Sequence, residues 1–447
     1  MKKITNVKIL EKVTDFYFSS KDFNGIPLSD LYQFVDIEEA VFKETLVNLI
    51  NKREVDLIYE GDIPNPHIKP FPAPPIDKQI EKIQKTKIDD NIKSIEENAE
   101  TINGGETKIT LFFDSIGCCV YPTPERLRKI VDWRRYASRP FTLRLAMGEY
   151  QLRPYFFELG ILAVYRNDPR YRYSTDDITG SLYSVEGDLL NPSDRIFLKH
   201  FYFGFDNNGV RAVAVLLGDL TRLTPEHQQI WKAKMLRGHY KFGLHPDARK
   251  GILGHFPDKC SIFTAFLEEL RVINEMAVKI KGVSLLKEVF GEKNKPENFG
   301  FLILPTLREF DLFCHTLDRM MNDNINEDFF DGEIKQEDLD SRETLKEIKG
   351  YKIRKLNLWI TKKFRLPDPK PKDDMIKTLK YIRGLRSKPA HAHYVNKWDL
   401  SLYRKQRKLV KRAYTAMRVL RLILTNDLRA RAVEVPKWLH KGEIRTF

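Results

Sequence analysis

The chain has 447 residues, 42% hydrophobic and 31% charged, enough apolar material for about two to four packed domains and too much for a disordered polymer. Its 76 lysines and arginines against 62 acids leave a net charge of +14, which favours a polyanionic partner. Four cysteines make no disulfide framework, and no apolar run approaches the roughly 20 residues of a membrane-spanning helix.

Charges interrupt every short apolar run of the first eighteen residues, so no secretory signal is expected and the predicted compartment is the cytoplasm. Residues 1–61 read as a compact module. Ile9, Val13, Phe16 and Tyr17 keep helical spacing, 28–34 and 37–51 fit two further helices, and 55–59 is β-prone. Three helices followed by a strand is the order of a winged helix-turn-helix, which would make DNA a second partner through this module. Residues 62–106 read as a linker: six prolines lie between Asp62 and Pro75, and a polar stretch ends in Asn103-Gly104-Gly105.

Residues 107–300 read as a central α+β domain. Strands are predicted at 109–113, 142–146, 161–165 and 210–217, and helices at 124–136, 225–236 and 262–278. Thr224-Pro225-Glu226 is a helix start, with threonine as the cap and proline in the first turn. On the 262–278 helix, Glu268, Glu269 and Glu275 are expected in solvent. Residues 301–447 read as a four-helix bundle. Its first helix carries Phe310, Phe313, Cys314 and Leu317; the others are expected near 345–364, 374–386 and 402–424.

The positive charge is concentrated. Between Ile376 and Arg431 stand sixteen lysines and arginines and two acids, Asp399 and Asp427, an excess equal to that of the whole chain. Within this block Arg386-Ser387-Lys388-Pro389-Ala390-His391 is predicted to form the loop between the third and fourth helices. RNA phosphodiester cleavage needs a base for the 2′-hydroxyl, an acid for the 5′-oxygen and positive charge on the phosphorane-like transition state. Histidine and arginine suit those tasks.

This stretch resembles the R-x4-6-H signature of the HEPN-superfamily ribonucleases, whose domains are helical bundles with the motif near the start of a late helix. The resemblance implies metal-independent RNA cleavage, no cofactor and a site shared across a homodimer. It makes Arg386 the phosphate binder and His391 the general acid/base. Ser387 departs from the Asn, Asp or His common after the arginine, and His393 offers the six-residue spacing instead. Lys388, Arg404, Lys405, Arg407, Lys408, Lys411 and Arg412 are the candidate RNA-binding residues. The superfamily setting suggests a toxin or anti-phage effector restrained by the central domain. The rival reading is a non-catalytic nucleic-acid-binding regulator that uses the amino-terminal module and the basic bundle.

Other signals are weaker. His239, His245, His255 and Cys260 match no compact zinc spacing, so no metal is expected. Cys118-Cys119 reads as a buried pair at a strand end. Asp318, Asp323 and Asn324 either cap the first bundle helix or face the Arg386 motif. No nucleotide-hydrolysing loop pattern occurs.

Overall fold

The computed structural model describes residues 2–59, 68–88, 117–185, 190–207, 209–238, 241–255, 259–291, 294–334, 351–387 and 395–446. In chain order the elements are α1 (Lys2–Ser19), β1 (Ile26–Pro27), α2 (Leu28–Val35), α3 (Glu39–Asn51), β2 (Val55–Tyr59), α4 (Ile76–Lys85), β3 (Cys118–Pro122), α5 (Pro124–Ile130), α6 (Pro140–Ala146), β4 (Pro154–Phe157), α7 (Ile161–Arg166), β5 (Tyr171–Thr175) and β6 (Thr179–Ser184). There follow β7 (Phe197–Asp206), β8 (Arg211–Leu216), α8 (Leu217–Thr221), α9 (Pro225–Ala233), β9 (Phe242–Leu244), α10 (Pro246–Ile252), β10 (Cys260–Ser261) and α11 (Ile262–Lys281). The rest are α12 (Leu307–Asp318), α13 (Tyr351–Lys363), α14 (Lys370–Ser387), α15 (Ser401–Leu424), α16 (Lys437–Lys441) and β11 (Ile444–Arg445). This is a mixed α and β architecture. Among the described residues no helix is long and apolar enough to cross a membrane.

Two compact units emerge, Met1–Glu158 with Leu182–Leu244, and Leu159–Ser181 with His245–Phe447. Their boundaries cut across the expected domains at 61, 106 and 300, because contacts rather than composition join the segments.

In the first unit α1, α2 and α3 share a core with a three-stranded sheet. Ile9, Val13 and Tyr17 recur every four residues on α1 and are buried together with Leu28, Leu31, Phe42, Leu46 and Leu49. At about 1.5–3 kcal/mol for each large apolar side chain, this burial is the main favourable term for the module. Beneath the helices β3 pairs antiparallel with both β1 and β2, with Val120 facing Ile26 on one side and Leu57 on the other. Cys118 and Cys119, in β3, are buried as reduced thiols. The expected linker contains a docked element: on α4, Ile83 is buried and Gln79 accepts from Leu57 N at 2.7 Å while donating to Pro74 O at 2.7 Å. In the same unit β8 pairs with β4 and β7, and β9 lies on β7. Gly204 of β7 is required there, since a Cβ would stand 2.5 Å from Gly243 O and from the Phe156 ring.

Two predicted strands are helices. Residues 142–146 fall in α6 and 161–165 in α7. Both segments are short and buried on several sides, so their apolar runs carried no period to separate strand from helix. The 124–136 helix is also interrupted, because the Asp132 side chain accepts from Arg134 N at 3.0 Å and starts a separate 3₁₀ turn. The predicted strand at 109–113 lies outside the described residues. Thr224 does cap α9, accepting from His227 N, with Pro225 in the first turn.

The second unit is mainly helical. α11, assigned from the sequence to the central domain, packs along α15; α14 packs on α15 and α12, and α13 on α14. Ser261 caps α11, and Gly282 ends it in the left-handed conformation. Glu269 is the main departure from expectation. It is fully buried, and Arg421 of α15 donates to it at 2.5 Å. At the foot of α12, Thr306 accepts from Glu309 N at 3.3 Å, and Glu309 in turn pairs with Arg166 of α7 at 2.5 Å.

Candidate functional site

Arg386 does not stand in a loop. It lies in the last turn of α14, because that helix runs on to Ser387. Met375, Leu379 and Ile382 form the buried stripe of α14, and Arg386 is the next position along it. An arginine pointed inward needs an anionic partner, and α12 supplies one in Asp318, itself four residues beyond buried Cys314 and wholly buried.

The carboxylates of Asp318 and Asp323 clamp two guanidinium groups. Asp318 Oδ2 accepts from Arg386 at 2.9 Å and lies 3.1 Å from Arg383 Nη1; Asp323 Oδ1 lies 2.8 Å from Arg383 Nη1. Asp323 also accepts from Arg386 Nη1. Asn322 completes the cage, donating to Asp318 Oδ1 at 2.6 Å and to Leu379 O at 3.1 Å. The hydrogen bond to Asp318 is the foremost cause holding the Arg386 proton more firmly than usual. Burial pushes the Asp323 carboxyl upward, yet the two arginines outweigh it and leave it below the usual range. His315, on the same face of α12, is pushed down by burial and then by Arg386 and Arg319, which favours neutral imidazole. Only Nη1 of Arg386 serves the clamp. Among the described residues its Nε and Nη2 have no partner, and its side chain is 30% exposed, so that edge can meet an anion.

Beside the clamp lies a cleft of about 370 Å³, lined by Lys287, Phe290, Asn298, Thr316, Arg319 and Asp323 among others. Asp323 belongs to both features. Its main-chain oxygen accepts from Lys352 Nζ at 2.8 Å.

The sequence-predicted residues divide into three groups. Arg386 is placed as above, and Ser387 is the last residue of α14. Lys388, His391 and His393 lie outside the described residues. Arg404, Lys405, Arg407, Lys408, Lys411 and Arg412 are all exposed on α15. Lys405 reaches Asp399 at 3.3 Å, and Arg412 stacks over the Tyr381 ring of α14 at 4.6 Å. The basic block is therefore not wholly a surface: Arg383 and Arg386 are matched by Asp318 and Asp323, and Arg421 by Glu269. Asp318 and Asp323 do face the arginine, the second of the two readings given to them.

Sequence reasoning passed over Arg383, His315, Arg319, Lys287 and Lys352. The available signal was an aspartate and an arginine at core-stripe positions of two different helices. Of the weaker candidates, His245 caps α10, its Nδ1 accepting from Asp247 N at 3.1 Å, and His239 lies outside the described residues. No cluster of three metal-ligating side chains occurs among the described residues.

The first unit has a separate cleft of about 320 Å³, lined by Asp22, Asn24, Gln151, Asp219 and Arg222 among others. Burial there pushes the Asp219 carboxyl up to about 6, against the nearby Arg222.

No family model matches the chain, and no curated protein or solved structure is significantly similar to it.

Proposed function

We propose that the chain is a metal-independent endoribonuclease of the HEPN type. The observation that carries this reading is Arg386: its guanidinium is fixed by Asp318 and Asp323 at the end of α14, keeps a donor edge unused among the described residues, and adjoins a cleft with Lys287 and Arg319. A fixed, partly desolvated arginine loses little on meeting a phosphate and strengthens its grip as charge builds on the phosphorane. In the reaction, His391 takes the 2′-hydroxyl proton, the 2′-oxygen attacks phosphorus, and the 5′-oxygen leaves as a hydroxyl after protonation. The products carry 2′,3′-cyclic phosphate and 5′-hydroxyl ends. The exposed cations of α15 would hold flanking phosphates. A homodimeric site, restraint by another part of the chain and a role in toxicity or defence against phage belong to the same proposal.

The test is cleavage of total cellular RNA in EDTA by wild type and His391→Ala. Wild type should cut and leave cyclic ends, and the variant should be slower by about 10²–10⁴-fold, the range of a lost general acid or base. Equal rates in both proteins would remove His391 from the mechanism.

A second reading has its own support. The order α1, β1, α2, α3, β2, α4, β3, with β3 at the centre of its sheet, is compatible with a winged helix-turn-helix that carries α4 between its last two strands. Against DNA reading by this module, the outer positions of α3 are Ala40, Val41, Glu44, Asn48 and Asn51, and Lys43 is paired with Glu39 at 2.6 Å. A recognition helix without unpaired cations lacks the usual electrostatic footprint. Salt-dependent nucleic-acid binding without cleavage, unaffected by His391→Ala, would favour this regulator.

A further inference from the structure

The cleft beside Arg386 has a charge pattern of its own. Asp318 and Asp323 are matched by Arg383 and Arg386, and Lys352 lies 4.0 Å from Glu327. At the cleft, Lys287 and Arg319 have no carboxylate partner among the described residues; of the two acids that line it, Asp323 is taken up by Arg383 and Arg386, and Glu288 is the other. Lys287 is pinned by its backbone: its N–H donates to Asn324 O at 2.8 Å, and Glu288 N donates to Asn324 Oδ1 at 2.8 Å. The ammonium of Lys352 is anchored close by on Asp323 O and Ile325 O. Burial, and then repulsion from Lys287, holds Lys352 below the usual lysine range, so two like charges lie close together behind the cleft. An anion between Lys287 and Arg319 would relieve that crowding.

Phe290 adds a different chemistry. It is half-buried, so part of the ring faces the cleft, and the exposed Asn298 lines the same cleft. An aromatic face beside a cationic rim is the pairing that holds a nucleotide, base on ring and phosphate on charge. A volume of about 370 Å³ is in the lower part of the range of ligand pockets.

We propose that this cleft is a subsite for one nucleotide of the RNA, with its phosphate held by Lys287 and Arg319 and its base against Phe290. The inference rests on the ribonuclease reading for RNA as the source of the nucleotide. Because Asp323 touches both the cleft and Arg386, the bound nucleotide would neighbour the phosphodiester that Arg386 meets.

The test is binding of adenosine 5′-monophosphate to the full chain, by calorimetry and melting temperature, with adenosine and inorganic phosphate as controls. The monophosphate should bind better than either control. Lys287→Gln and Arg319→Gln should each weaken it about tenfold, the equivalent of one charged hydrogen bond. Phe290→Leu should weaken the monophosphate and leave inorganic phosphate unchanged. Each variant should melt where wild type does without ligand, since all three side chains reach solvent. No binding by wild type, binding indifferent to all three substitutions, or phosphate binding as well as the nucleotide would overturn the proposal. Nucleotide binding with the expected losses, in a protein that cuts no RNA, would sink the ribonuclease reading and leave the subsite standing. Cleavage without a nucleotide site would do the reverse.

Discussion

At the scale of single residues, two ionic arrangements inside the second unit share a logic. Arg421 and Glu269 are buried at 2% and 0% relative exposure, and Arg386 and Asp318 repeat the arrangement nearer the surface. Removing one member of a buried pair strands a desolvated charge, so Glu269→Ala should destabilise the protein by about 3–5 kcal/mol. The double change Glu269→Leu with Arg421→Met should recover most of that loss. Urea midpoints of the three proteins would decide, and a mild effect of Glu269→Ala would show water reaching Arg421. The sequence made Arg386 visible through its spacing from His391, and it offered Asp318 and Asp323 as facing groups. It hid Glu269, because an acid between two other acids on an amphipathic helix looks like a solvated face. Only the approach of α15 turns that position inward.

Among elements, α15 was the most legible, since Leu409, Val410, Ala413, Met417 and Leu420 repeat with helical period over a long stretch, and all are buried. Its outer face is set by exclusion: what the stripe does not bury must be solvated, and there the cations gather. If that face holds RNA phosphates, Arg404→Gln, Lys408→Gln and Lys411→Gln together should lower the slope of log affinity against log salt by about 2, at about 0.7 per phosphate contact on a single strand. Stability should not change. Titrations at several salt concentrations measure the slope, and an unaltered one would assign RNA binding elsewhere. By contrast, α6 and α7 were misread because burial on several sides erases periodicity. The strand β7, ten residues long, escaped notice: its burial alternates only loosely, since parts of both its faces are covered.

For the whole molecule, the pattern of apolar residues pointed to a mixed α and β chain, and that much holds. Where the units divide was not legible, because segments distant in sequence complete each other. Glu309 needs Arg166, and Arg445 needs Asp177, at 2.5 and 2.9 Å. A fragment of residues 301–447, the bundle as drawn from sequence, would lack both partners and would also leave Arg421 without Glu269. It should show no cooperative melt by circular dichroism, whereas a sharp transition would establish the bundle as self-sufficient. The same interleaving bears on synthesis. Residues 159–181 leave the ribosome before the second segment of the first unit and must wait for 245–447 to follow. At about 5–20 residues per second, that wait for the later segment lasts roughly 10–40 s beyond residue 244. Throughout it Arg166 lacks Glu309 and Asp177 lacks Arg445, so the segment cannot close its ion pairs until the chain is nearly complete.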